Sequence, residues 1–177
     1  VDDSSPDGTL AEVRKIAEQN LKIHFISRPE KLGLGPAYLE GFCWAIEKKF
    51  DVIVQMDADF SHRPVDLVKI LDRLTDPASA VDAVSGSRYV AGGVIRNWSW
   101  YRRTVSRCGN WYAQLFLGSR ICDWTSGFVA WKSESLLKIG LSSMQAKGYG
   151  FQIELKQKAL QAGLHLLETP ILFEDVR

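Results

Sequence analysis

The chain alternates short apolar runs with longer amphipathic ones. Residues 1–3 read as the tail of a strand, and the turn that follows leads through Pro6 and Gly8 into a helix over 10–19. Alternation over 22–27 predicts a strand. The run 35–49 is helical, with Ala37, Leu39, Phe42, Ala45 and Ile46 on one apolar face. Val52, Ile53 and Val54 are β-branched and apolar, which suits a strand over 52–56 buried on both faces. A helix over 64–74 opens on Pro64, where a missing N–H is tolerated. A strand over 81–87 follows. The second half is less regular: a long helix over 98–117, a strand over 123–131, and an amphipathic helix over 152–162 closed by Gly163. An extended segment over 165–173 is interrupted by Pro170, as at a sheet edge. This order predicts an α/β fold, a Rossmann-like, mostly parallel sheet with helices on both faces.

The strand over 52–56 runs into Asp57-Ala58-Asp59. Carboxylates at i and i+2 of an extended backbone point the same way, and ligands of open α/β sheets bind just past the carboxyl ends of strands. Asp57 and Asp59 therefore suit a divalent cation held between the protein and a diphosphate. A duller reading, a cap on the helix at Pro64, needs only one Asp. An EF-hand is excluded, because His62 and Val68 stand where its Gly and Glu belong.

Other segments carry weaker signals. Arg88, in GSRYVAGG, leaves the strand over 81–87 at the same sheet edge and offers a planar donor fork suited to phosphate. Arg28 and Lys31 flank the glycines Gly33 and Gly35, where a helix-entry turn competes with phosphate binding. Asp3 is either a nucleotide contact or part of an Asp-rich turn. Asp123 with Ser126-Gly127, and Gln152 with Glu154, read equally as sugar or acceptor contacts and as turns or caps. His24, His62 and His165 form no catalytic or metal pattern.

Residues 97–120 combine Trp98, Trp100, Tyr101, Trp111, Tyr112, Leu115 and Phe116 with Arg102, Arg103, Arg107 and Arg120. That mixture suits a membrane interface or a lipid phosphate, and a core helix with a basic outer face is the plain alternative. A net charge of +1 argues against nucleic-acid binding. Three cysteines without metal spacing, Cys43, Cys108 and Cys122, read as buried thiols in a reducing compartment. The sequence has no apolar run of the ~18 residues a membrane span needs and no signal peptide. Both ends look cut from a longer protein.

Taken together, DDSSPDGT, GLGPAYLEGF, MDADFSHRP, SGSRYVAGG, the Trp/Arg helix, SGF and PILF resemble, in order, the dolichol- or polyprenol-phosphate mannosyltransferases of the inverting, GT-A type family 2 glycosyltransferases. The resemblance covers essentially the whole chain. It implies one GT-A catalytic domain over 1–177 that transfers mannose from GDP-mannose to a polyprenyl monophosphate with Mg²⁺ or Mn²⁺, working peripherally at the cytoplasmic face of a membrane. By resemblance, Asp3, Asp57, Ala58 and Asp59 bind the nucleotide sugar, and Asp57, Asp59 and Ser61 hold the metal. The resemblance also implies that Asp59 and Arg88 are the catalytic residues. Arg88, Arg102, Arg103, Ser106, Ser126 and Arg177 take the acceptor phosphate. Ser61 departs from the pattern, since many relatives carry Gln there, and one extra residue precedes Arg177. Rival readings are the same scaffold with another donor such as UDP-glucose, and a non-catalytic membrane-associated nucleotide-binding module.

Overall fold

A computed structural model describes residues 1–146, 148 and 150–176. Its elements in order are α1 (Thr9–Gln19), α2 (Leu34–Glu47), β1 (Val52–Gln55), α3 (Pro64–Thr75), β2 (Ala83–Ser87), β3 (Val94–Arg96), α4 (Trp100–Leu117), β4 (Val129–Lys132), α5 (Ser133–Ile139), α6 (Gly150–Gln161), β5 (Leu166–Pro170) and β6 (Leu172–Glu174). The main sheet has the order β1-β4-β2-β5. β4 lies antiparallel between β1 and β2, and β2 and β5 are parallel, so three of these four strands run the same way. β3 and β6 form a small parallel pair.

Strand residues alternate between two cores, as the pleat dictates. Ile53, Ala83, Val129 and Trp131 pack with Phe42 of α2, Leu136 of α5 and Phe151 and Leu155 of α6. Val84 and Ala130 face the other way, onto Ile70 and Leu74 of α3, with Phe128 and Ile171. Helices therefore cover both faces, and this explains why the strands read as unbroken apolar runs.

Three expectations change. The segment 22–27 is not a strand. Only Asp2 pairs with it, through a bridge to Ser27 and the bonds Asp2 N to Ile26 O (2.8 Å) and Arg28 N to Asp2 O (2.9 Å), too short a ladder to make a strand. The strand expected over 123–131 is confined to β4. The residues before it satisfy their backbone through side chains instead. Nor are the cysteines buried thiols: Cys43 and Cys108 are exposed on the outer sides of α2 and α4, and Cys122 is half-buried.

Candidate active site at one edge of the sheet

The carboxyl ends of β1 and β2 and the amino end of β4 meet at one edge, where Gln55 and Ser85 both pair with Val129 and Gly86 N donates to Phe128 O (2.8 Å). This register brings Asp57–Asp59, Arg88 and the turn 123–127 together although they are far apart in sequence.

Asp57 has a prepared setting. The Tyr38 hydroxyl donates to its Oδ1 (3.1 Å), and its own N–H donates to His62 Nδ1 (3.3 Å). Tyr38 is held by near-parallel stacking on Phe151, with 5.9 Å between ring centres. Burial, and then the Asp57 charge and hydrogen bond, raise the Tyr38 pKa far above its usual value, so it remains a donor. His62 is buried, stacked on Phe128 (4.6 Å) and edge-on to Phe173 (5.4 Å). Its burial lowers its pKa, against the pull of the Asp57 and Asp59 charges, which keeps the ring neutral with Nδ1 as acceptor.

Phe60 takes φ 63°, a costly left-handed conformation for a bulky residue, and stands exposed beside this site. The turn lets Ser61 N and Oγ both donate to Asp59 Oδ1. Ser61 is itself buried, so in this geometry its hydroxyl fixes Asp59 instead of facing outward as a third metal ligand. Ala58 between the carboxylates is exposed. The helix-cap reading does not hold, because α3 has no side-chain cap bond at its start.

Among the described residues no three His, Cys, Asp or Glu side chains cluster as metal ligands. Asp57 and Asp59 offer two oxygen donors on one turn, and the Asp57 side chain is 42% exposed. This set fits a hard cation such as Mg²⁺ or Mn²⁺ that completes its shell with phosphate oxygens and water, and it does not fit a closed zinc site.

Arg88 is anchored more firmly than a surface phosphate ligand would be. Its backbone N (3.0 Å) and Nε (2.7 Å) donate to Asp123 Oδ2, and its Nη2 donates to Asp123 Oδ1 (2.7 Å) and Thr125 Oγ1 (2.7 Å). Gly93 makes this possible, for a Cβ there would meet the Arg88 carbonyl carbon at 2.7 Å. Burial alone would raise the Asp123 carboxyl, but hydrogen bonds and charge from Arg88 outweigh it and hold it below the usual carboxylate range. The turn is pinned throughout: Glu168 accepts from Cys122 N (2.7 Å) and Asp123 N (2.8 Å), and Asn110 Oδ1 accepts from Trp124 N (2.7 Å).

The other predicted residues divide. Ser126 is buried and its hydroxyl donates to Gly86 O (2.6 Å), so it braces the sheet and is turned away from any phosphate. Arg28 likewise turns inward, in a two-pronged pair with Asp3 (2.7 and 2.6 Å), so the sequence reading of Arg28 as a phosphate contact gives way to a structural pair. Glu154 accepts from Gln145 N and Ala146 N, and Gln152 bonds Gln55 in the core (2.8 Å). Arg102 pairs with Asp175, Arg103 Nη2 donates to Ile95 O (2.9 Å), and Ser106 Oγ accepts from Tyr89 (2.7 Å). Arg177 lies outside the described residues. Tyr38 and His62 lie within the segments GLGPAYLEGF and MDADFSHRP but have no role assigned there, and Lys156 lies in no motif; sequence spacing alone does not reveal what any of the three does.

α4 presents Trp100, Tyr101, Trp111, Tyr112, Leu115 and Phe116 to solvent, each more than half exposed, while Asn110 and Ala113 face inward. No helix among the described residues is long and apolar enough to cross a membrane.

The profile of Glycosyl transferase family 2 matches residues 1–140. The chain is 44% identical, over 99% of its length, to a Mycolicibacterium smegmatis protein named polyprenol monophosphomannose synthase, of which it spans 65%. It is 39% identical, again over 99% of its length, to a Micrococcus luteus undecaprenyl-phosphate mannosyltransferase, of which it spans 70%. Among solved structures, glucosyl-3-phosphoglycerate synthase of Mycobacterium tuberculosis, in complex with Mn²⁺, UDP-glucose and glycerol 3-phosphate, superposes with a TM-score of 0.64 at 21% identity, covering 100% of this chain and 59% of that one. That likeness speaks for the fold, which is of the GT-A type expected from the sequence. The chain belongs to glycosyl transferase family 2.

Proposed function

We propose that this chain is the catalytic domain of an enzyme that transfers mannose from GDP-mannose to a polyprenyl monophosphate, with inversion at the anomeric carbon. The observation that carries the reading is the meeting of Asp57 and Asp59 with the Arg88–Asp123 pair at one sheet edge, in a chain 44% identical to polyprenol monophosphomannose synthase.

Asp57 and Asp59 hold Mg²⁺ or Mn²⁺ together with the diphosphate. When bound, the metal supplies Lewis-acid stabilisation of the departing nucleoside diphosphate. Tyr38 and Ser61 orient the two carboxylates, and Asp3, held by its pair with Arg28, contacts the nucleotide together with Ala58. Arg88, Arg102 and Arg103, with Ser106 and Arg177, draw the acceptor phosphate towards the donor. A phosphate monoester loses its second proton near pH ~6, so the nucleophile is already anionic at neutral pH and needs no general base. An α-linked donor then gives a β-mannosyl phosphate.

The acceptor is a lipid, and the exposed aromatic face of α4 supports peripheral docking on the cytoplasmic face of a membrane, with Arg103 and Arg107 beside anionic headgroups. The near-neutral net charge leaves nucleic acid out of the reading.

The test is transfer from radiolabelled GDP-mannose to a short polyprenyl phosphate by the full-length parent, with Mn²⁺ and with chelator, and with UDP-glucose in parallel. Metal-dependent labelling from GDP-mannose, abolished by Asp59→Ala, is the expected result. Labelling only from UDP-glucose overturns the donor, and no lipid labelling from either overturns the reaction.

A further inference from the structure

We propose that Trp98, so far only one of the aromatic residues of the segment 97–120, is a positioning residue that gathers Arg88 and Arg102 into one phosphate clamp; the inference rests on the acceptor reading above. The Arg102 Cζ lies 4.2 Å from the centre of the Trp98 ring and the Arg88 Cζ lies 5.3 Å from it. Both guanidinium groups are thus within cation–π range of one indole, although 14 positions separate them in the sequence.

Two permanently charged groups brought this close repel each other, and the arrangement answers that in two ways. The negative π-system of the indole attracts both cations. A carboxylate then anchors each arginine separately, Asp123 for Arg88 and Asp175 for Arg102. Trp98 is in turn fixed edge-on to Phe173 of β6, with 5.4 Å between ring centres and 71° between planes. The same Phe173 ring lies 5.5 Å from the Arg88 Cζ and packs against His62. The platform is therefore continuous with the buried histidine that accepts from Asp57 N, and it ties the acceptor side of the site to the metal side.

A buried indole N–H usually finds an acceptor, and among the described residues two do not, that of Trp124 in the core and that of Trp98. Trp98 Nε1 is buried without a hydrogen-bond partner among the described residues. An unpaired buried donor is costly. What sets Trp98 apart from Trp124 is the pair of guanidinium groups at its ring, and beside two cations the partner its N–H suits is an oxyanion with oxygens to spare, which a phosphate monoester has.

The test uses the full-length parent with geranyl phosphate as probe. Its affinity is measured by calorimetry, independently of sugar transfer, and GDP affinity and thermal stability are measured alongside. Trp98→Leu removes the platform and is expected to weaken geranyl phosphate about tenfold, with a matching rise in acceptor KM and little change in kcat or GDP affinity. Trp98→Phe keeps a ring face but lacks the N–H, and a loss of about threefold is expected. Arg102→Lys should cost less in the Trp98→Leu background than in the wild type, because the two residues act as a unit. Unchanged geranyl phosphate affinity in both Trp98 variants overturns the proposal. So does equal loss of phosphate and GDP affinity together with a fall in melting temperature, which marks a merely structural role. If Trp98→Leu does not fold, Trp98→Phe and its cycle with Arg102→Lys decide. Wild type that binds geranyl phosphate without transferring mannose leaves the clamp standing and overturns the proposed reaction instead.

Discussion

Lys156 Nζ, fully buried within α6, donates to the main-chain oxygen of Asp123 at 2.6 Å and to that of Ser126 at 3.1 Å. It closes from inside the turn whose Asp123 side chain holds Arg88. Burial drives its pKa down to about 8, against the favourable charges of Asp123 and Glu168.

Lys156→Met keeps the length of the side chain and removes both donors. Two buried carbonyls lose their partner, at about 1–3 kcal/mol each, partly offset because a buried charge also goes. A lower melting temperature is expected. The pH dependence separates the two effects. Below about pH 8 folded and unfolded chains both hold the Lys156 proton, and the cost of burying the charge is present in full. From there up to its ordinary value of 10.5 the unfolded chain binds the extra proton, so stability rises with pH. Urea unfolding at about pH 7.5 and about pH 9.5 should show wild type gaining on Lys156→Met at the higher value. An equal gap at both pH values would mean that Lys156 is not buried as an ammonium.

Tyr38→Phe removes one hydroxyl and leaves the stack on Phe151 intact. Stability should change by no more than about 1 kcal/mol, since the lost hydrogen bond is to a partly exposed carboxylate. Asp57 should lose its fixed orientation, so Mn²⁺ binding in the presence of GDP should weaken by about threefold to tenfold, as followed by electron paramagnetic resonance. Unaltered Mn²⁺ affinity would show that Tyr38 does not orient the metal carboxylate.

The sequence made the strand–helix order and the Asp57–Asp59 pair legible because both are local: β-branched runs, Pro64 at a helix start, and two carboxylates two residues apart. What it hid is set by register. That β4 runs antiparallel between β1 and β2 follows from the pairing of Val129 with both Gln55 and Ser85, which no spacing announces. Ser126 looked like a phosphate contact because its bond to Gly86 O crosses between strands that only the fold brings together. His62 seemed isolated for the same reason, since Phe128 and Phe173, which bury it, are remote in sequence. Lys156 lies on an amphipathic helix whose charged residues normally face water, and only the two carbonyls beneath it explain its burial.

Asp123→Asn leaves the shape of the turn but strips the charge from a wholly buried partner of Arg88, whose side chain is 8% exposed. Breaking one side of a buried ion pair costs about 3–5 kcal/mol, which a chemical-denaturation midpoint will register. Because the Asp123 pKa is lowered in the folded state, its contribution is present above the usual carboxylate range and is lost as pH falls through the folded value, so the variant should also show a flatter acid limb. The Arg88→Leu/Asp123→Leu double variant should recover much of the stability while sugar transfer stays lost by about a hundredfold or more, because an apolar pair can replace the packing but not the phosphate donors. Recovery of both would reduce the pair to a structural strut.

The exposed face of α4 supplies a prediction that stability measurements alone cannot imitate. Trp111 is 65% exposed and Leu115 is 61% exposed, one turn apart on the same side of the helix. Side chains so placed contribute little to folding, so Trp111→Glu and Leu115→Glu should each shift stability by no more than about 0.5 kcal/mol. Insertion of an indole or a leucyl chain into a lipid interface is worth on the order of 1–3 kcal/mol, and a carboxylate there also repels anionic headgroups. The double variant should therefore co-sediment with vesicles containing anionic lipid at least about tenfold less than wild type. Transfer to a short, water-soluble polyprenyl phosphate should be preserved, because neither side chain belongs to the Arg88–Asp123 cluster. Undiminished sedimentation would move membrane contact away from α4, and loss of transfer to the soluble acceptor would place this face within the acceptor site itself.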